Sequence, residues 1–244
     1  MRNIKLTLEY DGTRFFGSQI QKRYRTIQGE LEAALQKLFH QKIKIIAAGR
    51  TDSGVHAEGQ VVNFQIRSKL ALPKIHLGLN HYLPEDLVVT EIKQVPASFH
   101  AQYSAKRKVY EYRVFNSRHR SALERFRSFY FPFPVELNQM KQAARLLCGK
   151  HNFRAFESSG SRRRSAIRTI RKFEVKKEGK IIYFTVEADG FLYKMVRSMV
   201  GTLLEVGSGK LKLAIFKEIL AQENRRLVGF TAPPQGLTLK QVIY

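Results

Sequence analysis

Residues 47–64 read AAGRTDSGVHAEGQVVNF, a loop rich in glycine and small residues with strand-like runs on both sides. The runs KIKIIAAG (42–49) and GQVVNFQI (59–66) have the apolar, β-branched character of strands. Within the loop GRTDSGVHA (49–57) the one acidic residue is Asp52, two positions after Arg50. The loop is therefore either a structural turn between two strands or a place where a carboxylate does chemistry.

Helices and strands alternate along the rest of the chain. Apolar spacing predicts a helix over 26–39 with Thr26 as its N-cap, and alternation predicts a strand over 4–10. The second half repeats this mixture, with a hairpin over 167–189 that turns at Glu178-Gly179. Further strands are predicted over 86–95 and 108–116, and further helices over 72–84, 137–149, 191–209 and 212–222.

This order of elements favours an α+β fold made of two units with mainly antiparallel sheets. We predict a first unit over residues 1–104 and a second over residues 105–244. Because no low-complexity segment or flexible linker separates the two, we expect them to be tightly coupled around a cleft.

The charge of the chain indicates its partner. Forty-three Lys and Arg face 20 Asp and Glu among 244 residues, a formal net charge of +23. Such a charge speaks to partners rather than to fold, and nucleic acid is the leading candidate, with an anionic membrane surface as the rival. The longest apolar stretches fall short of the roughly 20 residues that a membrane span needs. Since the N-terminus reads as a strand rather than a signal peptide, we expect a cytoplasmic protein.

Three stretches concentrate the basic residues. They are KRYR (22–25), KRKVYEYRVFNSRHR (106–120) and RRRSAIRTIRK (162–172), the last beginning with Arg162, Arg163 and Arg164. Tyr110 and Tyr112 fall within the second stretch and share one face of its predicted strand. Cations hold phosphates and aromatic rings stack on exposed bases. The alternative is a solvated basic face over tyrosines that belong to the core.

The helix predicted over 191–209 is apolar around most of its circumference, with Lys194 and Arg197 in a thin polar stripe. A charge on a largely buried helix is costly unless it is paired and hydrogen-bonded. Either Arg197 reaches solvent, or it meets a carboxylate, for which Asp189 and Asp52 are the candidates.

Metal chemistry has little support in the sequence. Seven scattered histidines and one cysteine show no metal-ligand spacing, and His56 in the loop reads as a packing residue rather than a general base. A metal-dependent nuclease needs clustered carboxylates, yet only Glu58 lies near Asp52 in sequence. A plain RNA-binding module would explain the charge but not the loop.

The loop GRTDSGVHA resembles the signature of the bacterial TruA-type tRNA pseudouridine synthases, and stretches that resemble further motifs of that family occur in order on both sides of it. They are YDGTRFFGSQIQ, TIQGELEAAL, SAKRKVYEYRVFN, GKHNFRAF, FLYKMVRSMVG and GLTLKQVIY. Several ordered motifs are more specific than any one of them. One position departs from the pattern, because the family usually has Trp where Ser18 stands here, and this chain has no Trp.

The resemblance implies an enzyme that converts uridine to pseudouridine at positions 38, 39 and 40 in the anticodon stem-loop of tRNA, without a metal or an organic cofactor. It implies two RRM-like (ferredoxin-like) halves around a basic catalytic cleft, the pseudouridine synthase fold, and a homodimer. By matching motif, Asp52 is the catalytic nucleophile, Tyr110 packs on the target uracil and Arg197 is the basic partner of Asp52. Arg50 is expected to hold the extruded nucleotide through its phosphate.

This chemistry fits the residues themselves. An aspartate can attack either ribose C1′ or uracil C6 as a covalent nucleophile, and the sequence leaves both routes open. The target base must leave the stack to be reached, which a stacking ring and a positive cleft favour. Gly49 and Gly54 permit sharp turns on either side of the nucleophile.

Overall fold

The computed structural model describes residues 1–160 and 165–244, which form two units. Unit 1 consists of residues 1–106 and 238–244, and unit 2 consists of residues 107–237. The three arginines of the third basic stretch, Arg162, Arg163 and Arg164, lie outside the described residues.

The predicted elements appear in order along the chain, and the structure adds strands over 129–130, 149–152 and 237–243 that the sequence did not predict. The strands are β1 (Arg2–Tyr10), β2 (Ile46–Ala47), β3 (His56–Ile66), β4 (Leu87–Val95), β5 (Arg107–Phe115), β6 (Phe129–Tyr130), β7 (Gly149–Asn152), β8 (Ile167–Glu178), β9 (Ile181–Ala188) and β10 (Leu237–Ile243). The helices are α1 (Ile27–Phe39), α2 (Leu72–Tyr82), α3 (Leu137–Leu146), α4 (Met195–Gly207) and α5 (Leu213–Gln222).

The sheet of unit 1 has the order β4-β1-β3-β2, and each of these neighbours is antiparallel. A β-α-β-β-α-β chain of this kind is the ferredoxin-like arrangement on which RRM domains are built. The predicted α+β class with a mainly antiparallel sheet is therefore confirmed in this unit.

The end of the chain is where the unit boundary differs from the one that the sequence suggests. The sequence places residues 238–244 with the second unit, whereas the structure places them in unit 1. Two parallel pairs join β10 to β3 there, Thr238 with His56 and Leu239 with Ala57. Because these pairs are formed between residues far apart in sequence, no local sequence pattern predicts them.

The strand before the loop is shorter than predicted. The run 42–49 contributes only the two residues of β2, although Ile43 and Ile45 are buried. The Ile45 N–H donates to a side-chain oxygen of Glu32 on α1, at 3.1 Å, instead of to a neighbouring strand. A side-chain acceptor on the helix thus replaces the sheet over the first part of this run.

The first helix begins as predicted. The Thr26 side chain accepts the Gly29 N–H at 3.2 Å, which is the N-cap bond that hydroxyl residues make. Its apolar stripe is buried at Ile27, Leu31, Ala34 and Leu35. This helix is therefore fixed at the end nearest the segment that precedes it, residues 11–25.

The sheet of unit 2 has the order β5-β9-β8-β7 and is antiparallel throughout that path. The predicted hairpin is formed by β8 and β9, with Gly179 in the turn at a φ of +56°. The fully buried large side chains of this unit are Tyr112, Phe153, Phe156, Phe184 and Phe216. They give unit 2 a core of its own.

Helix α4 begins at Met195, four residues later than the prediction. Lys194 takes a φ of +58°, in the left-handed region, which α-helical continuation does not allow. The prediction that Lys194 and Arg197 share a helical stripe is therefore wrong, because only Arg197 lies on the helix. All but one residue of α4 is buried.

Candidate active site

The loop between β2 and β3 presents Asp52 at a tight turn of unit 1. The Asp52 carbonyl accepts the Val55 N–H at 3.2 Å, and Gly54 takes a φ of +77°, which favours glycine. Asp52 is half-buried, whereas Arg50 is exposed. The turn thus holds a partly accessible carboxylate on a backbone of defined geometry.

A second segment of unit 1, residues 11–18, is hydrogen-bonded to this loop. The Ser18 N–H donates to the Thr51 carbonyl at 3.1 Å, and the Thr51 N–H donates back to the Ser18 hydroxyl oxygen at 2.8 Å. Both residues are buried, with exposed fractions of 6% for Ser18 and 7% for Thr51. This reciprocal pair fixes the backbone on the N-terminal side of the nucleophile candidate.

The C-terminal side of the turn is held by the same segment. The Phe15 carbonyl accepts the Gly54 N–H at 3.3 Å and the Ser53 hydroxyl at 3.2 Å. Asp52 therefore lies between residues that are hydrogen-bonded to the segment 11–18 on both sides. The backbone that carries its side chain is fixed relative to that segment.

Two glycines allow the segment to approach the loop this closely. A Cβ on Gly17 would lie 3.0 Å from the Thr51 oxygen and 3.5 Å from the Asp52 carbonyl carbon, and its φ is +87°. A Cβ on Gly12 would lie 2.0 Å from the Val55 oxygen, far inside van der Waals contact. Any larger residue at these two positions would push the segment away from the loop.

Tyr10 and Gln60 anchor the base of the loop. The Tyr10 hydroxyl lies 2.8 Å from the Thr51 Oγ1, and the Gln60 amide donates to the Gly49 carbonyl at 2.9 Å. Burial raises the pKa of Tyr10 to about 12, while its hydrogen bonds with Thr51 and Gln60 act in the opposite direction. Tyr10 is therefore an uncharged phenol at neutral pH and adds no second negative charge to the site.

His56 is a packing residue of this site. It is 7% exposed, and its Nδ1 accepts the Gly12 N–H at 3.1 Å. The same Nδ1 lies 3.2 Å from Asp11 Oδ1, a contact that would require a proton on that nitrogen. We favour the acceptor role, because Asp11 Oδ1 already accepts the N–H and the hydroxyl of Thr13. His56 then helps to seat the turn at Gly12.

Ser18→Ala is expected to lower the free energy of unfolding by about 1–3 kcal/mol, because the buried Thr51 N–H loses its acceptor. Denaturation in urea measures this change. The matched control is Ser53→Ala, since Ser53 is exposed and the Phe15 carbonyl keeps its bond from the backbone. Equal stability losses in the two variants would show that the Ser18 hydroxyl does not hold the loop.

Tyr110 and Tyr112 share one face of β5 in unit 2 but differ in what they contact. The Tyr112 ring is fully buried and its hydroxyl donates to the Pro233 carbonyl at 2.7 Å. Tyr110 keeps 8% of its surface exposed and packs edge-on against Phe191, with ring centroids 5.1 Å apart. Tyr112 is thus a core residue, while Tyr110 has a ring held at a fixed angle by a second ring.

Arg197 lies on α4 and is 9% exposed. Its Nε donates to the Ala232 carbonyl at 2.7 Å, and the Ala232 N–H donates to the Arg197 carbonyl at 3.1 Å. Burial raises the pKa of Tyr112 well above its ordinary value, and the charge of Arg197 acts against that rise. The interpretation that Arg197 reaches into solvent is therefore wrong.

Asp189, one of the two candidate carboxylate partners of Arg197, forms a hydrogen bond with the backbone of the sheet. It is exposed, and its Oδ1 accepts the Thr169 N–H at 3.0 Å. Asp189 thus has a local structural role beside the hairpin of unit 2.

The first two basic stretches divide into structural and exposed cations. Arg25, Arg107 and Arg113 form ion pairs with Asp86, Glu187 and Glu124, at 2.6, 2.6 and 3.2 Å. The exposed cations of these stretches are Lys22, Arg23, Lys106, Arg118 and Arg120. The exposed cations can meet a polyanion without breaking the ion pairs of Arg25, Arg107 and Arg113.

Within residues 1–160 and 165–244, no three His, Cys, Asp or Glu side chains come together to hold a metal ion. None of the helices in the same part of the chain is long and apolar enough to cross a membrane.

The predicted site residues thus fall into two groups. Asp52 and Arg50 share one loop of unit 1, while Tyr110 and Arg197 lie on β5 and α4 of unit 2. Sequence reasoning missed the residues that hold the loop from a distance, above all Ser18. The one signal for it was the small hydroxyl residue that stands where the family that the motifs resemble has Trp.

The chain was compared with known proteins, and it matches the family model described as tRNA pseudouridine synthase over residues 7–104 and 143–244. It is 43% identical to tRNA pseudouridine synthase A of Acetivibrio thermocellus and 44% identical to the protein of that name from Thermoanaerobacter sp. strain X514. It is 41% identical to tRNA pseudouridine synthase A 2 of Clostridium perfringens. Each alignment spans 244 residues and covers 100% of both chains.

Proposed function

Because the chain belongs to the tRNA pseudouridine synthase family, and is therefore an isomerase that converts uridine to pseudouridine in tRNA, we propose that it acts on uridines 38, 39 and 40 of the anticodon stem-loop, with Asp52 as its nucleophile. The matched ranges include both Asp52 and Arg197. The family motifs at 49–57 and 191–201 support the carry-over of their roles.

The anchored turn around Asp52 is the observation that carries this proposal. A catalytic group has to be held within about 0.5 Å of its productive position, and its supporting residues supply that precision. Here the Ser18–Thr51 pair and the Phe15 carbonyl fix the backbone on both sides of a half-buried carboxylate. A turn held in this way can keep the carboxylate in one position relative to a bound nucleotide.

The reaction needs no further reactant. The bond between uracil N1 and ribose C1′ breaks, a bond between uracil C5 and C1′ forms, and the proton lost from C5 is balanced by one gained at N1. Substrate and product have the same composition, so neither a redox group nor a transferred group is required. Attack of Asp52 on C1′ or on C6 satisfies this balance equally well.

The other site residues are assigned roles that suit their surroundings. Tyr110, braced by Phe191, is the ring that packs on the extruded uracil. Arg50 is exposed beside the nucleophile and holds the phosphate of the extruded nucleotide. Arg197 is the basic partner that orients the Asp52 carboxylate. The hydrogen bond from its Nε to the Ala232 carbonyl fixes the plane of the guanidinium group.

The proposal includes a place and a state of assembly. An enzyme whose substrate is tRNA works where tRNA is processed, and this supports a cytoplasmic location. The resemblance to the TruA-type enzymes supports a homodimer.

Mapping of pseudouridine in an unmodified tRNA transcript tests the function directly. After incubation with the protein alone, we expect pseudouridine at positions 38, 39 and 40 wherever the transcript has uridine there. The control is a transcript with cytidine at the three positions, which should gain none. Modification confined to another part of the tRNA would contradict the proposed target, and no modification at all would contradict the cofactor-free reaction.

A further inference from the structure

The loop before α1 carries an exposed pair of aromatic rings. Phe16 and Tyr24 are 49% and 53% exposed, and their ring centroids lie 4.5 Å apart at an angle of 35°. We call residues 16–25 the aromatic loop. Two large rings left in water cost the free energy that their burial would have supplied. Neither ring fills the core of unit 1, so their exposure calls for a role outside the fold.

The aromatic loop is held in this shape by its own contacts. The Phe16 N–H donates to the Arg25 carbonyl at 2.9 Å, and the Gln21 amide donates to the Phe16 carbonyl. The Arg25 guanidinium grips both carboxylate oxygens of Asp86, at 2.7 and 2.6 Å, and its Nε donates to Glu30 at 2.9 Å. These contacts hold the two rings in place before any ligand binds. Pre-organisation of this kind removes much of the entropy cost that ordering the rings would add to binding.

The charge around the rings is positive. Lys22 and Arg23 are exposed at the tip of the aromatic loop. Two acids that contact the aromatic loop, Asp86 and Glu30, are both paired with Arg25. A ring pair flanked by two cations suits a ligand that combines a flat base with a phosphate.

The aromatic loop begins next to the site of chemistry. Gly17, the residue after Phe16, packs on the Thr51 and Asp52 backbone, where an added Cβ would lie 3.0 Å from the Thr51 oxygen. Ser18 then forms its reciprocal pair with Thr51. An RNA strand whose nucleotide reaches Asp52 thus has its neighbouring nucleotides within reach of the two rings.

We propose that the aromatic loop is a binding element for RNA, in which Phe16 and Tyr24 stack on an unpaired nucleotide of the anticodon loop while Lys22 and Arg23 contact its phosphates. This inference rests on the proposed function, because it places the tRNA at Asp52. It adds a second base-contacting site beyond the one that Tyr110 supplies for the target uracil.

The test is the affinity for a tRNA transcript, measured in the Asp52→Asn background so that no turnover occurs. Replacing Phe16 and Tyr24 with Leu keeps the apolar bulk and removes the flat faces. Because stacking of one base contributes about 1–3 kcal/mol, the double variant should raise Kd about 5- to 150-fold. Tyr24 is the more exposed of the two rings. Tyr24→Leu alone should therefore raise Kd by part of that factor, and it separates lost stacking from a folding defect caused by the change at Phe16.

Tyr82→Leu is the matched control. Tyr82 is another exposed ring of unit 1, 40% exposed, beside the Lys37 cation at 5.9 Å. Lys37 is ten residues along α1 from its first residue, which is about 15 Å away along the helix axis. The Kd of the Tyr82→Leu variant for the tRNA transcript should match that of the Asp52→Asn parent. A double variant that binds the tRNA transcript as tightly as this control would overturn the proposal.

Abasic substitutions in the anticodon stem-loop identify the stacked nucleotide. Removing that one base should weaken binding to the parent protein but not to the Phe16→Leu, Tyr24→Leu variant, because the contact is already lost. Equal losses in both proteins at every position would rule out stacking on a defined base. These experiments measure affinity and not activity. If the Asp52→Asn protein proves active, the result refutes Asp52 as the nucleophile but leaves the test of the aromatic loop valid.

Discussion

Asp52→Asn is expected to abolish pseudouridine formation while the fold and the affinity for tRNA remain. The substitution is nearly isosteric and removes only the charge and the nucleophilicity of one side chain. The turn is held through Thr51, Gly54 and Val55, whose hydrogen bonds run through the backbone. Loss of the nucleophile in a covalent enzyme costs several orders of magnitude, so we expect kcat to fall by about 10³-fold or more.

Glu58→Gln is the control for this experiment. Glu58 is exposed, lies six positions after Asp52 and forms an ion pair with Lys240 of unit 1. Its neutralisation removes the same charge from the same region and should keep the wild-type rate. An Asp52→Asn protein that binds tRNA and still forms pseudouridine at more than a few percent of the wild-type rate would sink the assignment.

The sequence predicts most of the fold, because most of its signals are local. The Thr26 N-cap and the turn at Gly179 each depend on residues a few positions apart, and both are found where the pattern puts them. The start of α4 was predicted four residues too early, because the apolar run begins at residue 191 whereas Lys194 takes a left-handed backbone conformation. Periodicity reports which residues are apolar and not where the backbone leaves the helix.

The sequence predicts a chemistry for the candidate site, which stays a prediction, but it does not predict the contacts that support the loop. The composition of GRTDSGVHA draws attention to Asp52 but leaves open whether the loop is a structural turn, and only the family resemblance gives Asp52 the role of nucleophile. The clamp on it joins Ser18 to Thr51, 33 residues apart, and no spacing rule links two such positions. For the same reason the sequence does not indicate the hydrogen bond from Arg197 Nε to the carbonyl of Ala232, 35 residues further along the chain.

Arg197→Leu is expected to lower kcat by about 10²- to 10³-fold, the usual effect of removing one pre-organised electrostatic contact from an active site. Arg197→Lys should fall between this variant and wild type, because an ammonium carries the charge but lacks the planar fork that grips a carboxylate at two points. Lys194→Gln is the control, since Lys194 supplies an equal charge three residues earlier but lies outside α4. A wild-type rate for Arg197→Leu would remove Arg197 from the mechanism.

A double-mutant cycle on the free energy of unfolding tests the proposed pairing without reference to activity. Substitutions at distant sites add within about 0.5 kcal/mol, whereas those at contacting residues couple by about 0.5–3 kcal/mol. If the proposed pair forms, each single variant, Asp52→Asn or Arg197→Leu, leaves the other charge without its counter-charge, which is costly for a group as buried as Arg197. Arg197→Leu should therefore destabilise the Asp52→Asn protein less than it destabilises the wild type. If the two losses simply add, Arg197 acts through its bond to Ala232 or through the RNA, and the orientation of Asp52 must come from its own anchored loop.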